Sequence, residues 1–424
     1  MRVPLKNYLE KLGLSKLKKE QKEIVTSVLN GKDIIGVLPT GFGKSVCYIL
    51  PHMILMKTVI VISPLISLMK DQQRRYKDVC TIVTSFSQNM DLDDRQITHD
   101  QKKDIFDGKL PCVIYMTPEN FLSRESWIKG MEKHISLIAI DECHCISSWS
   151  EFRSSYTALN KMNKWFKKRP PIMAVTGTAT KKTINLVANV LELKNPVYIH
   201  ISPTRDNLNL SVMYKHDFKN SISIIRDKIQ GKTIVYCKTQ KDTEKISNAL
   251  SHWGYVSGYY HAGLSRENRD SVQNKFTLGK IDVLAATVAF GMGIDISDIE
   301  TIIHYGIPKD MESYCQEIGR AAREKDMQGT CCILWSKGDF VINNIFLKQI
   351  DDYELRCKQR EQMKGIELYV KNTNICRMRL IRDYFQGTYY SSDGFKCNNC
   401  DNCMNKKDFS NHLKTLYILS LIHI

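Results

Sequence analysis

Short apolar runs recur along the chain, each followed by a longer amphipathic stretch. Ile34–Leu38, Thr58–Ile62, Cys112–Met116, Ser136–Ile140 and Ile172–Thr176 read as buried strands. A second series begins near Asn207, with Thr233–Tyr236, Val256–Tyr260, Ile281–Ala286 and Thr301–His304. Helical patterns fill the intervals, precede the first strand (Leu5–Leu29, with a break near Gly13) and follow the last one as charged stretches from Asn343 to Val370. Strands alternating with helices predict α/β units with parallel sheets and helices on both faces. Ligands on such sheets bind beyond the carboxyl ends of the strands. The pattern divides the chain at residues 1–203, 204–340, a helical module at 341–408, and a tail at 409–424.

The first strand runs into I-I-G-V-L-P-T-G-F-G-K-S, Ile34 to Ser45. Strand, glycine loop and helix in that order make a phosphate cradle, with backbone N–H groups pointing at anionic oxygens. Lys44 can reach the outer phosphates, and the Ser45 hydroxyl can hold Mg²⁺. Leu38 stands where the strict pattern has its first glycine. About 100 residues on, the apolar run Leu137–Ile140 ends in Asp141 and Glu142. One carboxylate there can hold Mg²⁺ opposite Ser45, and the other can polarise a water. Gln21, about 20 residues before the loop, offers a carboxamide able to read adenine. In the second series Gln316–Arg323 reads Q-E-I-G-R-A-A-R. Arg320 and Arg323, three apart, are expected to share a helix face and to suit phosphate oxygens.

The net charge of +16 points to a polyanionic partner. There is no apolar signal core at the start and no run of 18 apolar residues, so no membrane is expected as a partner. The expectation is an intracellular protein, nuclear if eukaryotic and cytoplasmic if bacterial or viral. Fourteen cysteines in a reducing compartment are thiols or metal ligands. Four of them, Cys376, Cys397, Cys400 and Cys403, are spaced C-x20-C-x2-C-x2-C. That spacing fits tetrahedral Zn²⁺; an iron–sulfur cluster also takes four thiolates.

Taken together, L-P-T-G-F-G-K-S-V-C-Y, S-P-L-I-S-L-M-K-D-Q, D-E-C-H-C-I-S-S-W, F-R-S-S-Y, Y-Y-H-A-G-L, A-T-V-A-F-G-M-G-I-D and E-S-Y-C-Q-E-I-G-R-A-A-R resemble the superfamily-two helicases, and the RecQ family of DNA helicases in particular. The resemblance spans roughly Leu17 to Cys403. It implies two RecA-like lobes flanking one ATP, then a small helical zinc-binding module, with 3′-to-5′ movement on DNA and duplex unwinding in repair or recombination. The implied nucleotide contacts are Lys18, Gln21, Thr40, Gly41, Gly43, Lys44 and Ser45. Asp141 holds Mg²⁺ and Glu142 activates water, while Gln316, Arg320 and Arg323 serve the phosphoryl group. His144 couples the nucleotide to the other lobe. The resemblance also selects zinc for the four cysteines. Trp149, Phe152 and Arg153 form a loop next to the acidic pair that can stack on unpaired bases and contact phosphate. Partners are single-stranded and duplex DNA, and the expected state is a monomer.

The chain departs from the family pattern at Leu14 and Lys18, where an aromatic and an arginine are usual, and at Phe42, where glycine is preferred. Relaxed nucleotide affinity or adenine selectivity is the expectation. Winged-helix and C-terminal helical domains do not fit after Cys403, so a short form is expected. Two other functions stay open: an RNA helicase or a translocase that separates no strands, and an inactive DNA-binding scaffold. Intact Lys44, Asp141, Glu142, Arg320 and Arg323 oppose the scaffold.

Overall fold

The computed structural model describes residues 5–39, 41–64, 66–84, 98–148, 154–291, 296–324, 326–388 and 394–404. Two compact units divide the chain, one built on Met1–Pro203 and the other on Thr204–Phe290 with Ile296 onward.

The first unit holds β1 (Ile34–Val37), β2 (Thr58–Ile62), β3 (Ile82–Thr84), β4 (Val113–Met116), β5 (Ile135–Ile140), β6 (Ile172–Thr176) and β7 (Val197–His200). They form one parallel sheet in the order β3-β4-β2-β5-β6-β1-β7. Every residue of β1, β2, β5 and β6 is buried, which is why each reads as a continuous apolar run. Asp33 fixes the entrance to β1 against its neighbours and is 3% exposed. Its carboxylate accepts from the backbone N–H of Ile172 at 2.8 Å and of Lys194 at 2.7 Å, and from Arg169 Nη1 at 3.1 Å. The starts of β6 and β7 are thus tied to β1. At the other end of the sheet the loops after β1, β5 and β6 emerge side by side.

The second unit holds β8 (Leu208–Tyr214), β9 (Lys232–Cys237), β10 (Ser257–Tyr260), β11 (Val283–Ala286), β12 (Ile299–Tyr305) and β13 (Gly329–Trp335). This sheet is also parallel, in the order β10-β11-β9-β12-β13-β8. Helices Lys337–Lys348, Tyr353–Lys371 and Arg377–Gln386 pack within the same unit. The buried hydroxyls of Tyr314 and Tyr369 meet at 3.2 Å. Gly365 lets the helices approach closely, since a Cβ there would lie 2.5 Å from the Tyr384 ring.

Candidate nucleotide site and zinc centre

The loop after β1 is shaped by two left-handed glycines, Gly41 at φ +77° and Gly43 at φ +93°. Leu38, in the place of the missing glycine, is fully buried and donates its N–H to Thr176 O at 2.8 Å, prolonging the β1–β6 pairing. The helix that follows runs from Val46 to Leu55, so Lys44 and Ser45 lie in the turn entering it, with Ser45 at its N-cap. Thr40 lies outside the described residues.

Gln21 is buried, and its carboxamide is engaged by the protein itself. Its Nε2 donates to Phe42 O at 3.0 Å and to Gly43 O at 3.3 Å, while its Oε1 accepts from Lys18 N at 3.0 Å. In this structure Gln21 braces the phosphate loop. Gly43 is what permits this approach, because a Cβ there would sit 2.6 Å from Gln21 Nε2. Two of the departures noted in the sequence also meet. Lys18 Nζ lies 4.2 Å from the centre of the Phe42 ring and donates to Phe42 O at 3.3 Å. The aromatic in the loop thus gives Lys18 a cation–π partner.

Asp141 and Glu142 follow β5. Glu142 adopts φ +48°, a conformation costing roughly 1–3 kcal/mol for a non-glycine residue. The bend is held by Glu142 N donating to Asp141 Oδ1 at 2.9 Å and by Cys143 N donating to Val175 O at 3.0 Å. It turns the Glu142 carboxylate toward Lys44, whose Nζ lies 3.4 Å from Oε1. The other oxygen lies 3.3 Å from His144 Nδ1, which is itself 2.7 Å from Thr176 Oγ1. Thr176 Oγ1 in turn donates to Thr178 O at 3.2 Å. His144 therefore links Glu142 to the loop after β6 inside the first unit.

The electrostatics separate the two acids. Burial, with Glu142 beside it, pushes the Asp141 carboxyl up to about 6. Burial also opposes the charge on Glu142, but Lys44 and His144 outweigh it and hold that carboxyl far below the usual range. For Lys44 burial is likewise overcome by Glu142 and Asp141, which raise it. Glu142 is thus a firm anion pinned by a cation. Asp141 is a buried carboxylate only partly compensated, which is the environment in which a bound cation gains most.

In the second unit the arrangement of the arginines differs from the sequence expectation. The helix Met311–Ile318 carries half-buried Gln316 and ends at Gly319, so Arg320 and Arg323 lie on the turn beyond it and share no helix face. The reason is local. Ala322 takes φ +49°, and its N–H donates to Ile299 O at 2.7 Å, breaking the helical ladder. Arg320 is 7% exposed and lies against the Tyr236 hydroxyl. Nearby, His304 Nε2 is 2.7 Å from Glu317 Oε2. Trp149, Phe152 and Arg153 lie outside the described residues.

Cys376, Cys397, Cys400 and Cys403 converge, with all four Sγ atoms within 4.8 Å of one another. Zn–S bonds of about 2.3 Å in a tetrahedron need S···S separations of roughly 3.8 Å, so the cluster fits one zinc ion. Asn398 at φ +58° makes the knuckle, and the N–H groups of Arg377 and Cys397 donate to Cys400 Sγ and Cys376 Sγ, each at 3.3 Å. Hydrogen bonding between Cys376 and Cys400 lowers the Cys376 thiol and raises the Cys400 one, and metal binding would displace the protons. Buried Arg377 holds Asp401 through Nε at 2.8 Å and Nη2 at 3.1 Å, and Asp401 Oδ2 accepts from Val212 N of β8 at 2.8 Å.

Sequence reasoning passed over Asp33, Thr176 and the Lys18–Phe42 pairing. Asp33 is a single acid ahead of an apolar run, and its role depends on backbone groups more than 130 residues away. Thr176 carried a signal, since it closes β6 in T-G-T-A-T, but its link to His144 is purely spatial.

Fold, phosphate loop and acidic pair define the motor of an ATP-dependent helicase. Residues 18–187 match the DEAD/DEAH box helicase model, 216–325 the helicase conserved C-terminal domain and 337–404 the RecQ zinc-binding domain. The chain is 36% identical over 399 residues to the putative ATP-dependent RNA helicase R290 of Acanthamoeba polyphaga mimivirus, covering 92% of this chain and 70% of that protein. It is 35% identical over 420 residues to the ATP-dependent helicase wrn-1 of Caenorhabditis elegans, covering 93% of this chain and 38% of that protein. Among solved structures, the Mycobacterium smegmatis helicase Lhr bound to ssDNA and AMP-PNP shares the fold at TM-score 0.62 and 16% identity, over 82% of this chain and 49% of that one. The chain belongs to the RecQ family of helicases.

Proposed function

We propose that this chain couples ATP hydrolysis to 3′-to-5′ movement along single-stranded DNA and to unwinding of duplex DNA in repair or recombination. The observation that carries it is the line Lys44–Glu142–His144–Thr176, built on the loops after β1 and β5 and on the last residue of β6. Glu142, pinned as an anion by Lys44 in the absence of nucleotide, is freed to take a proton from water once a phosphate claims Lys44. His144 then carries the change to the loop after β6. Mg²⁺, held by Asp141 and Ser45, would neutralise charge on the phosphates. Arg320 and Arg323 would stabilise the charge of the transferring phosphoryl group, with Gln316 beside them. Trp149, Phe152 and Arg153 would read the bound strand. The basic charge of +16 supports a polyanionic track, which any sequence satisfies and salt weakens. The working unit would be a monomer, in the nucleus of a eukaryote or the cytoplasm of a bacterial or virus-infected cell.

A second reading has its own support: the viral relative is named as an RNA helicase. One experiment separates them. ATP turnover is measured with no nucleic acid, with single-stranded DNA and with single-stranded RNA, and strand separation is followed on 3′-tailed, 5′-tailed and blunt duplexes. DNA stimulation with opening of the 3′-tailed DNA duplex is expected. Stimulation by RNA alone would overturn the DNA assignment, and stimulation without opening would leave a translocase. Glu142→Gln should bind ATP and lose turnover; a variant that cannot bind ATP would contradict the role given to Glu142.

A further inference from the structure

The turn bearing Arg320 and Arg323 is held from beneath by a residue outside the motifs that carry the chemistry. Arg205, at the start of the second unit, aims its guanidinium at the end of the helix Met311–Ile318. Its Nη1 donates to Ala321 O at 2.8 Å and to Gly319 O at 3.4 Å, and its Nη2 donates to Ala322 O. Asn207 Nδ2 adds a bond to Ala322 O at 3.1 Å and another to Met327 O at 2.9 Å. Three carbonyls that the end of the helix leaves without intrahelical donors are thus gathered by one planar fork. A cation there also complements the negative end of the helix. Burial works against the charge on Arg205, yet a guanidinium stays protonated in proteins, so the charge remains and depends on those carbonyls for solvation.

The turn leaves little room for another arrangement. Ala321 and Ala322 are fully buried, and Ala322 is left-handed at φ +49°. Gly329 on β13 approaches so closely that a Cβ there would lie 3.0 Å from Ala322 Cβ and 3.2 Å from Ala321 Cβ. The two alanines between the arginines are small because β13 packs on them, and Arg323 turns back over the part that Arg205 clamps, its Nε donating to Gly319 O at 3.4 Å.

We infer that Arg205 is a positioning residue for the hydrolytic reaction. It fixes the backbone from which Arg320 and Arg323 reach the phosphoryl group, with Asn207 as its auxiliary. The inference rests on the proposed role of those two arginines. Losing the fork leaves both charges in the chain but on a turn held by fewer bonds, where small displacements of the arginines cost transition-state stabilisation and spare ground-state binding.

The test measures steady-state ATP turnover, with saturating single-stranded DNA, for the parent, Arg205→Ala, Arg323→Ala and the double variant. Circular dichroism and zinc content check the fold of each. Arg205→Ala should lower kcat about tenfold or more, with KM for ATP and affinity for the DNA strand within about twofold of the parent. The double variant should lose less than the product of the two single losses, because part of the clamp's effect passes through Arg323 and the rest through Arg320. Parent-like kcat in Arg205→Ala, a loss confined to KM or DNA affinity, or full multiplication of the two losses would each overturn the inference. Parent-like turnover in Arg323→Ala would instead remove the phosphoryl role on which it rests. Should Arg205→Ala fail to fold, Arg205→Lys keeps the cation without the planar fork and should show intermediate kcat; full activity there would also refute the clamp.

Discussion

Replacing Gly43 by alanine tests how the phosphate loop is built. Two costs follow from the geometry. The first is conformational: Gly43 sits at φ +93°, which strains an alanine by roughly 1–3 kcal/mol. The second is steric: the new Cβ would meet Gln21 Nε2 at 2.6 Å. To relieve the contact the amide must withdraw, giving up its bonds to Phe42 O and Gly43 O at about 1 kcal/mol each. Together these put the loss at roughly 3–5 kcal/mol, or about a hundredfold to several thousandfold in ATP affinity, because nucleotide has to restore the cradle before it binds. Gln21→Ala alone removes the two bonds and should weaken binding about 5- to 30-fold. The double variant has no clash to relieve and loses those bonds only once. Its affinity should therefore match Gly43→Ala within about threefold instead of showing the sum of both losses. Titration of a fluorescent ATP analogue against the four proteins, with thermal melts as a control for folding, gives the comparison. Additive losses would show that Gln21 acts on the nucleotide independently of the loop. An unchanged Kd for Gly43→Ala would refute the cradle geometry itself.

Further outcomes follow from other sites. Asp33→Ala strands Arg169 and the N–H groups of Ile172 and Lys194, and should lower the stability of the first unit by about 3–5 kcal/mol in urea unfolding; a loss under about 1 kcal/mol would contradict that role. Metal analysis should find about one zinc per chain, and chelation or Cys400→Ser should open the helices beyond residue 337 to protease; unchanged protection would refute a structural metal. Burial lowers the Lys238 ammonium to about 8, beneath its unfolded value of 10.5. The unfolded chain therefore binds more protons between those values, and stability contributed by this group rises across that window and is lost as pH falls through 8. Lys238→Met should flatten that part of the pH–stability curve, and an unaltered curve would show that Lys238 titrates normally.

The strands most legible in the sequence were those buried on both faces, because burial leaves a continuous apolar run. β3, β7, β8 and β13 went unread. β7 and β8 are half-exposed and mix polar with apolar residues, β3 has three residues, and β13 opens on glycine. The phosphate loop, acidic pair and cysteines were legible because their chemistry is local: neighbouring residues supply the ligands. What was not legible depends on long-range partners. Nothing near Gln21 says that its amide is spent on carbonyls 21 and 22 positions away. Spacing of three placed Arg320 and Arg323 on one helix face, but Gly319 and the buried Ala322 end the helix first.

The contact between Asp401 and Val212 has a consequence for behaviour in solution. β8 is the last strand of its sheet and is paired along one side by β13. An edge strand of seven residues is a template on which another chain can add by backbone hydrogen bonding. Here Asp401, flanked by zinc ligands Cys400 and Cys403, takes the Val212 N–H, and Asn399 accepts from the Asn209 side chain at 3.2 Å. The knuckle acts as an edge guard whose position depends on the ion. Loss of zinc would therefore bare a sticky rim on the second sheet, and the metal-free protein should self-associate with a steep dependence on concentration even while its phosphate loop is intact.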